Sequence, residues 1–243
     1  MRVPRVFVEQ SLQAGQIAEL DERAAHYIAQ VLRMRAGREL ILFNGDGNAY
    51  AANIIEAGKK QLRCQLDQAI QTSQTPSPLN IELGIAISKG DRFDWVIQKA
   101  TELGVTKISP LFSERVDVKL SGERLEKKQR HWQQIMISAC EQCGRNELVD
   151  ITQASPLEQW SQQAEGEVKL VLCPAQGELI SHNIQPKSLA LLVGPEGGLS
   201  DQEIARCLKN GFHALQLGPR ILRTETAPIA AISIVQHRWG DMP

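Results

Sequence analysis

Leu189-Ala190-Leu191-Leu192-Val193-Gly194-Pro195-Glu196-Gly197-Gly198-Leu199-Ser200-Asp201-Gln202-Glu203 changes character twice. Residues 189–193 are a continuous apolar run, as a strand buried on both faces requires. Residues 194–198 are nearly all glycine and proline, which stop a strand and free the backbone to turn. Ser200 and Glu203 then stand at capping-box spacing, each side chain placed to satisfy a backbone N–H of a helix's first turn. Strand, glycine loop and capped helix in succession form the βα unit of a parallel sheet.

The same rhythm extends in both directions. Asn80–Ser88 reads as a strand. Asp91–Leu103 reads as a helix with Phe93, Val96, Ile97, Ala100 and Leu103 on one face, ended by Gly104. Residues 107–112 form the next strand. Ser121 opens a long helix, with Leu125, Trp132, Ile135 and Ala139 inward and Gly144 at its end. Val168–Cys173 is a second buried strand, the capped helix runs to Gly211, and residues 213–217 are the last strand. Residues 226–238 close the chain as a helix with Pro228 near its start. Its segment 229–235, IAAISIV, is apolar nearly all round and calls for a further apolar surface, for which a partner subunit is the natural candidate.

The polar, proline-bearing stretch 71–78, QTSQTPSP, has no period and reads as a linker. The domain boundaries expected are 1–72, a linker at 73–79, and 80–243. Before the linker, short strands dominate: 5–8, 39–43, 48–55 and 61–66, with turns at Asn44-Gly45-Asp46-Gly47 and Gly58-Lys59. One helix, capped by Asp21, carries Ala24, Tyr27, Ile28, Val31 and Leu32 on one face. This half reads as a small β-barrel or sandwich with one helix.

With 243 residues, 42% apolar and 23% charged, the composition is that of a globular chain and excludes wholesale disorder or a fibrous repeat. No apolar run is long enough to span a bilayer, and the opening residues lack a signal-peptide core, so a cytoplasmic location is expected. Cys64, Cys140, Cys143, Cys173 and Cys207 are too scattered for a zinc site or disulfide frame, so they are expected reduced and no metal is expected. Net charge is −1, yet residues 89–145 hold 11 Lys and Arg against 8 Asp and Glu. That basic middle permits a nucleic-acid partner without demanding one.

Ligands in open α/β sheets bind beyond the carboxyl ends of strands. Two such ends are glycine-rich: 194–198, and Leu217-Gly218-Pro219-Arg220-Ile221-Leu222-Arg223-Thr224-Glu225-Thr226-Ala227. Neither is a Walker loop or a G-x-G-x-x-G fingerprint. Either alone admits a reading as plain turn chemistry. Arg223 and Glu225 admit a structural ion pair, Glu196 a helix-dipole role, and Arg145 a helix C-terminal cap. His26 reads as a structural contact.

Together, LLVGPEGGLS (191–200) and LGPRILRTETA (217–227) resemble the second and third signature motifs of the SPOUT class of S-adenosylmethionine-dependent RNA methyltransferases. Within it they are similar to the small-subunit rRNA uridine-N3 methyltransferase family. MRVPRVF (1–7), HYIAQVLRMRAG (26–37), SKGDRFDWVIQKATELGV (88–105), PLFSERV (110–116) and ACEQCGRN (139–146) extend that resemblance over almost the whole chain. It implies a PUA-like β-barrel, a methyltransferase domain with a mainly parallel sheet and a trefoil knot, and a homodimer acting on 16S rRNA, within the small subunit or its precursor. It implies that S-adenosylmethionine is held by Leu172, Gly194, Pro195, Glu196, Gly197, Leu217, Gly218, Leu222, Arg223 and Thr226. Arg223, Glu225 and Arg145 are the candidate catalytic residues; Arg2, Arg5, Arg33, Arg35, Lys89, Arg92 and Arg115 are the candidate RNA contacts. A ribose 2′-O-methyltransferase would carry a Ser-Leu-Asn run where RTETA stands. A non-catalytic rRNA assembly factor would not need both glycine loops intact.

Overall fold

The computed structural model describes residues 3–58, 61–70, 77–117, 120–173, 177 and 184–243. Arg2 and most of the 71–78 stretch therefore lie outside the described residues. The chain forms two compact units, Met1–Thr75 with Ile137–Leu148, and Pro76–Met136 with Val149–Pro243.

The first unit is one five-stranded sheet. Strands β1 (Arg5–Phe7), β2 (Ile17–Leu20), β3 (Glu39–Phe43), β4 (Ala49–Ala57) and β5 (Leu62–Ala69) lie in the order β1-β3-β4-β5-β2. The β1–β3 ladder is parallel, Val6 opposite Leu42, and the others are antiparallel. Val6, Leu40, Leu42, Ile54, Leu62 and Leu66 form its core with Ile28 of the helix. Among the described residues this unit lacks the second sheet that a sandwich requires, and no ladder joins the edge strands β1 and β2. Strand β2 is an addition to the sequence reading. It buries only Ala18 and Leu20 and leaves Ile17 exposed, so its apolar signal is faint.

The helix after β2 starts as expected: the Asp21 carboxylate accepts the Ala24 N–H at 2.7 Å. Helix α1 (Glu22–His26) then widens into a π-helical turn over Tyr27–Val31, and Arg33 ends it with a left-handed φ of 54°. His26 is exposed on it.

Residues 137–148 join this unit through specific bonds. Glu141 accepts the Phe7 N–H at 3.0 Å, and Asn146 donates to the Gly47 carbonyl at 3.2 Å. Burial pushes the Glu141 carboxyl above its ordinary range, against the pull of Arg23 and Arg5.

The second unit is a wholly parallel seven-stranded sheet. Its strands are β6 (Asn80–Ala86), β7 (Lys107–Phe112), β8 (Asp150–Ile151), β9 (Ser155–Pro156), β10 (Val168–Leu172), β11 (Ser188–Val193) and β12 (His213–Leu215). The order is β12-β10-β11-β6-β7-β8, with β9 also on β7. Residues 189–193 are all buried, as the apolar run requires. Helices α2 (Arg92–Glu102), α3 (Gly122–Cys143), α5 (Asp201–Lys209) and α6 (Thr226–Trp239) match the expected four, and α4 (Leu157–Gln163) is an addition. Gly104 and Gly144, both with positive φ, follow α2 and α3. The α5 capping box is present in full. Among the described residues no helix is long and apolar enough to cross a membrane.

Candidate functional site

Strands β11 and β12 both pair with β10, so three carboxyl ends lie side by side. Beyond them opens a cleft of about 280 Å³, close to the lower end of small-molecule sites. Leu172, Val193, Leu199, Ile204, Leu215 and Leu217 give it apolar walls, and Glu196, Arg220 and Thr224 supply polar groups.

Of the residues expected to hold the cofactor, Leu172, Gly194, Pro195, Glu196, Gly197, Leu217, Gly218 and Leu222 line this cleft. Arg223 and Thr226 do not; Thr224 and Ala227 stand there instead. The Arg223 carbonyl accepts the N–H groups of Thr226 and Ala227, both at 2.9 Å, and the turn leaves the side chains of Arg223 and Thr226 exposed. Cys173, beside Leu172, and Ile221, inside the 217–227 stretch, line the cleft too, and so does Ile204, which belongs to no glycine motif and which sequence reasoning missed. Burial raises the Cys173 thiol, so it serves the wall as a small apolar surface.

The glycines differ in purpose. A Cβ on Gly194 would lie 2.9 Å from Leu199 Cγ and 3.1 Å from its backbone N, so this loop folds back too tightly for a side chain. Gly218 has φ +101°, a conformation side chains rarely adopt, and among the described residues nothing but its chain neighbours lies within 4 Å of a Cβ built there. An open, apolar-walled slot edged by glycine backbone fits a flat, partly polar ligand such as an adenosyl group.

Charged side chains brace the loops. Glu196 Oε1 accepts the Lys89 N–H at 3.2 Å and Arg92 Nη1 at 3.1 Å, and Arg92 Nε lies 3.9 Å from Glu225 Oε2. Arg115 Nη1 donates to the Gly197 carbonyl at 2.9 Å, and Lys89 Nζ pairs with Asp117 at 2.8 Å. Asp117 is held below its ordinary range by that hydrogen bond and charge. Glu203 Oε1 accepts the Glu114 N–H at 2.9 Å, tying the loop after β7 to the capping box. Lys89, Arg92 and Arg115, expected as RNA contacts, are thus engaged with their own chain.

Arg5 is engaged likewise. Within the first unit its guanidinium donates to Asn146 and lies 5.1 Å over the Phe43 ring. Arg33 and Arg35 are exposed, as RNA contacts require. The Arg223 guanidinium has no partner among the described residues, and Glu225 faces Arg92, so the structural Arg223–Glu225 pair is not formed. Arg145 belongs to the first unit, Arg223 and Glu225 to the second, and no single unit gathers all three.

The chain matches the family model of an RNA methyltransferase domain over residues 75–236, and that of an RNA methyltransferase PUA domain over 20–67. It is 38% identical to ribosomal RNA small subunit methyltransferase E of Buchnera aphidicola subsp. Schizaphis graminum, covering 99% of this chain and 98% of that one. A Legionella pneumophila structure with bound S-adenosylmethionine is similar at TM-score 0.95 and 43% identity, over 99% of this chain and 100% of that one. Ribosomal RNA small subunit methyltransferase E of Neisseria gonorrhoeae, crystallised with S-adenosylmethionine, is similar at TM-score 0.94 and 38% identity, over the full length of both. A parallel sheet ending in this cleft, a PUA domain before it and relatives matched end to end agree: the chain belongs to the ribosomal RNA small subunit methyltransferase E family of RNA methyltransferases.

Proposed function

We propose that the chain transfers a methyl group from S-adenosylmethionine to N3 of a specific uridine in 16S rRNA. The observation that carries this reading is the cleft where β10, β11 and β12 end together, framed by two glycine-rich loops, with the Arg223 guanidinium of the second engaging no partner among the described residues. The relatives' small-subunit rRNA names, and the S-adenosylmethionine bound in similar structures, support donor and acceptor class. The RTETA sequence at 223–227 supports the base N3 as acceptor.

When bound, S-adenosylmethionine supplies a methyl group on a positively charged sulfur, already activated for displacement. The chain's task is alignment. Leu172, Val193 and Leu217 exclude water, and Gly218 lets backbone approach the ligand closely. Uracil N3–H is weakly acidic, so the site must favour the anion. Arg223 does so electrostatically and Glu225 is the candidate proton acceptor. Arg145 is a second positive charge, contributed across a homodimer. N3 lies on the pairing edge, so the target base is unpaired or drawn out of its helix. The reading includes a trefoil knot in the 80–243 domain, a PUA-like barrel over 1–72, a cytoplasmic location, and RNA docking through Arg33 and Arg35.

Mass spectrometry of 16S rRNA nucleosides from cells lacking the chain tests this directly, the expected result being loss of 3-methyluridine. With purified protein, Arg223→Ala should lower turnover about 10²–10³-fold. Raising the pH should restore part of it, since more uracil is then deprotonated. Methyl on a 2′-hydroxyl, seen as alkali-resistant dinucleotides, overturns the N3 assignment.

A further inference from the structure

Each of the two loops carries one carboxylate, Glu196 on the first and Glu225 on the second. Arg92, the first residue of α2, stands between them. Its Nη1 is 3.1 Å from Glu196 Oε1 and its Nε 3.9 Å from Glu225 Oε2. The same Glu196 oxygen accepts the Lys89 N–H, so two donors from segment 89–92 fix it. One guanidinium thus couples the loop after β11 to the residue that opens α6. Without it, the two anionic side chains would lose the cation they share.

By type and neighbourhood Arg92 looks like a phosphate contact, but two parts of its guanidinium face carboxylates of its own chain. We propose that Arg92 is a positioning residue that holds the two glycine-rich loops at the spacing the S-adenosylmethionine cleft requires, acting through Glu196 and Glu225. This rests on the methyltransferase reading above. Arginine suits the role because a planar fork can address two acceptors, which a lysine ammonium on a flexible stem does less well. The Arg92 side chain is 45% exposed, and ion pairs of that exposure stabilise a fold little. Their effect should appear in ligand affinity, because loops already held in place lose less freedom on binding.

The test uses the full chain with Arg92→Gln, Arg92→Lys, Glu196→Gln and the Arg92→Gln/Glu196→Gln double variant. Calorimetry reads S-adenosylmethionine affinity, and an rRNA fragment titrated across salt concentrations reads RNA contact. Arg92→Gln should weaken cofactor binding about two- to fivefold, the scale of an exposed ion pair. Arg92→Lys should recover only part of it. The double variant should bind less weakly than the two single losses combined, because both changes break the shared Arg92–Glu196 link. The salt slope of RNA binding should stay as in the wild type. Unchanged cofactor affinity in Arg92→Gln overturns the proposal, as do additive losses in the double variant. So does a salt slope reduced by about one, the mark of a lost phosphate contact. A wild-type chain that binds no S-adenosylmethionine would instead refute the methyltransferase reading itself.

Discussion

Glycine serves opposite ends at two positions, and the contrast is testable. On β6, a Cβ at Gly84 would lie 2.4 Å from two ring carbons of Trp160, whose Nε1 donates to Glu82 at 2.7 Å and so resists moving. Gly84→Ala should cost at least about 1–3 kcal/mol by overpacking. It should lower the melting temperature while folded molecules bind S-adenosylmethionine normally. Gly218 has room for a Cβ but an unfavourable φ, so Gly218→Ala should cost only about 1 kcal/mol of strain. Its side chain would enter the ligand's space, so cofactor affinity should fall more than stability. Unimpaired binding by Gly218→Ala in calorimetry would show that the ligand lies elsewhere. Only Gly218 was legible in the sequence, because it ends an apolar run beside a proline. Gly84 sits inside such a run, and its cause is a tryptophan on a helix of only seven residues. Arginines fared similarly: Arg5, Arg92 and Arg115 show their charge in the sequence but not the distant acceptors that engage them.

At the scale of elements, terminators and caps explain what was legible. Helices α2, α3, α5 and α6 repeat apolar residues at helical spacing, and glycines close α2, α3 and α5. Helix α4, LEQWSQQ, buries only Leu157, Trp160 and Ser161, too few for a period, and β8 and β9 have two residues each. Strand β12 stops at Leu215, two residues short of the expected 213–217, and Leu217 lines the cleft instead. The α5 cap is both structural and functional. Ser200 Oγ accepts the Glu203 N–H, and Glu203 in return receives the N–H groups of Ser200 and Glu114. Ser200→Ala should therefore cost about 1 kcal/mol. In a chain of this size that lowers the melting temperature by about 2–4 °C. Calorimetric melting with no shift would mean that the neighbouring glycine loop, rather than the serine, holds the helix start.

At the scale of the whole molecule, α6 carries the argument for a dimer. Pro228, Ala231, Ile232, Val235 and Trp239 are buried within the chain, whereas Ile234 remains 44% exposed. The sequence pattern, apolar nearly all round, could not separate these sides, because the neighbours of each side are set by tertiary packing. An isologous contact through the exposed side would bury Ile234 twice, once from each subunit. The wild type should sediment as a dimer at micromolar concentration, and Ile234→Asp as a folded monomer with little activity. The reason for the lost activity can be separated from mere dissociation. If Arg145 serves its partner's site, Arg145→Ala and Arg223→Ala each impair both sites of a homodimer. In a mixed dimer, however, one site receives intact Arg223 from one subunit and intact Arg145 from the other. Equal mixing with free exchange makes half the molecules mixed, each with one complete site of two. Activity should then rise to about a quarter of the wild-type value, as two-fold symmetry requires. Methyl transfer by the exchanged mixture, compared with each variant alone, reads this directly. A mixture no more active than the mean of the two variants would place Arg145 in the service of its own subunit, or outside the reaction altogether.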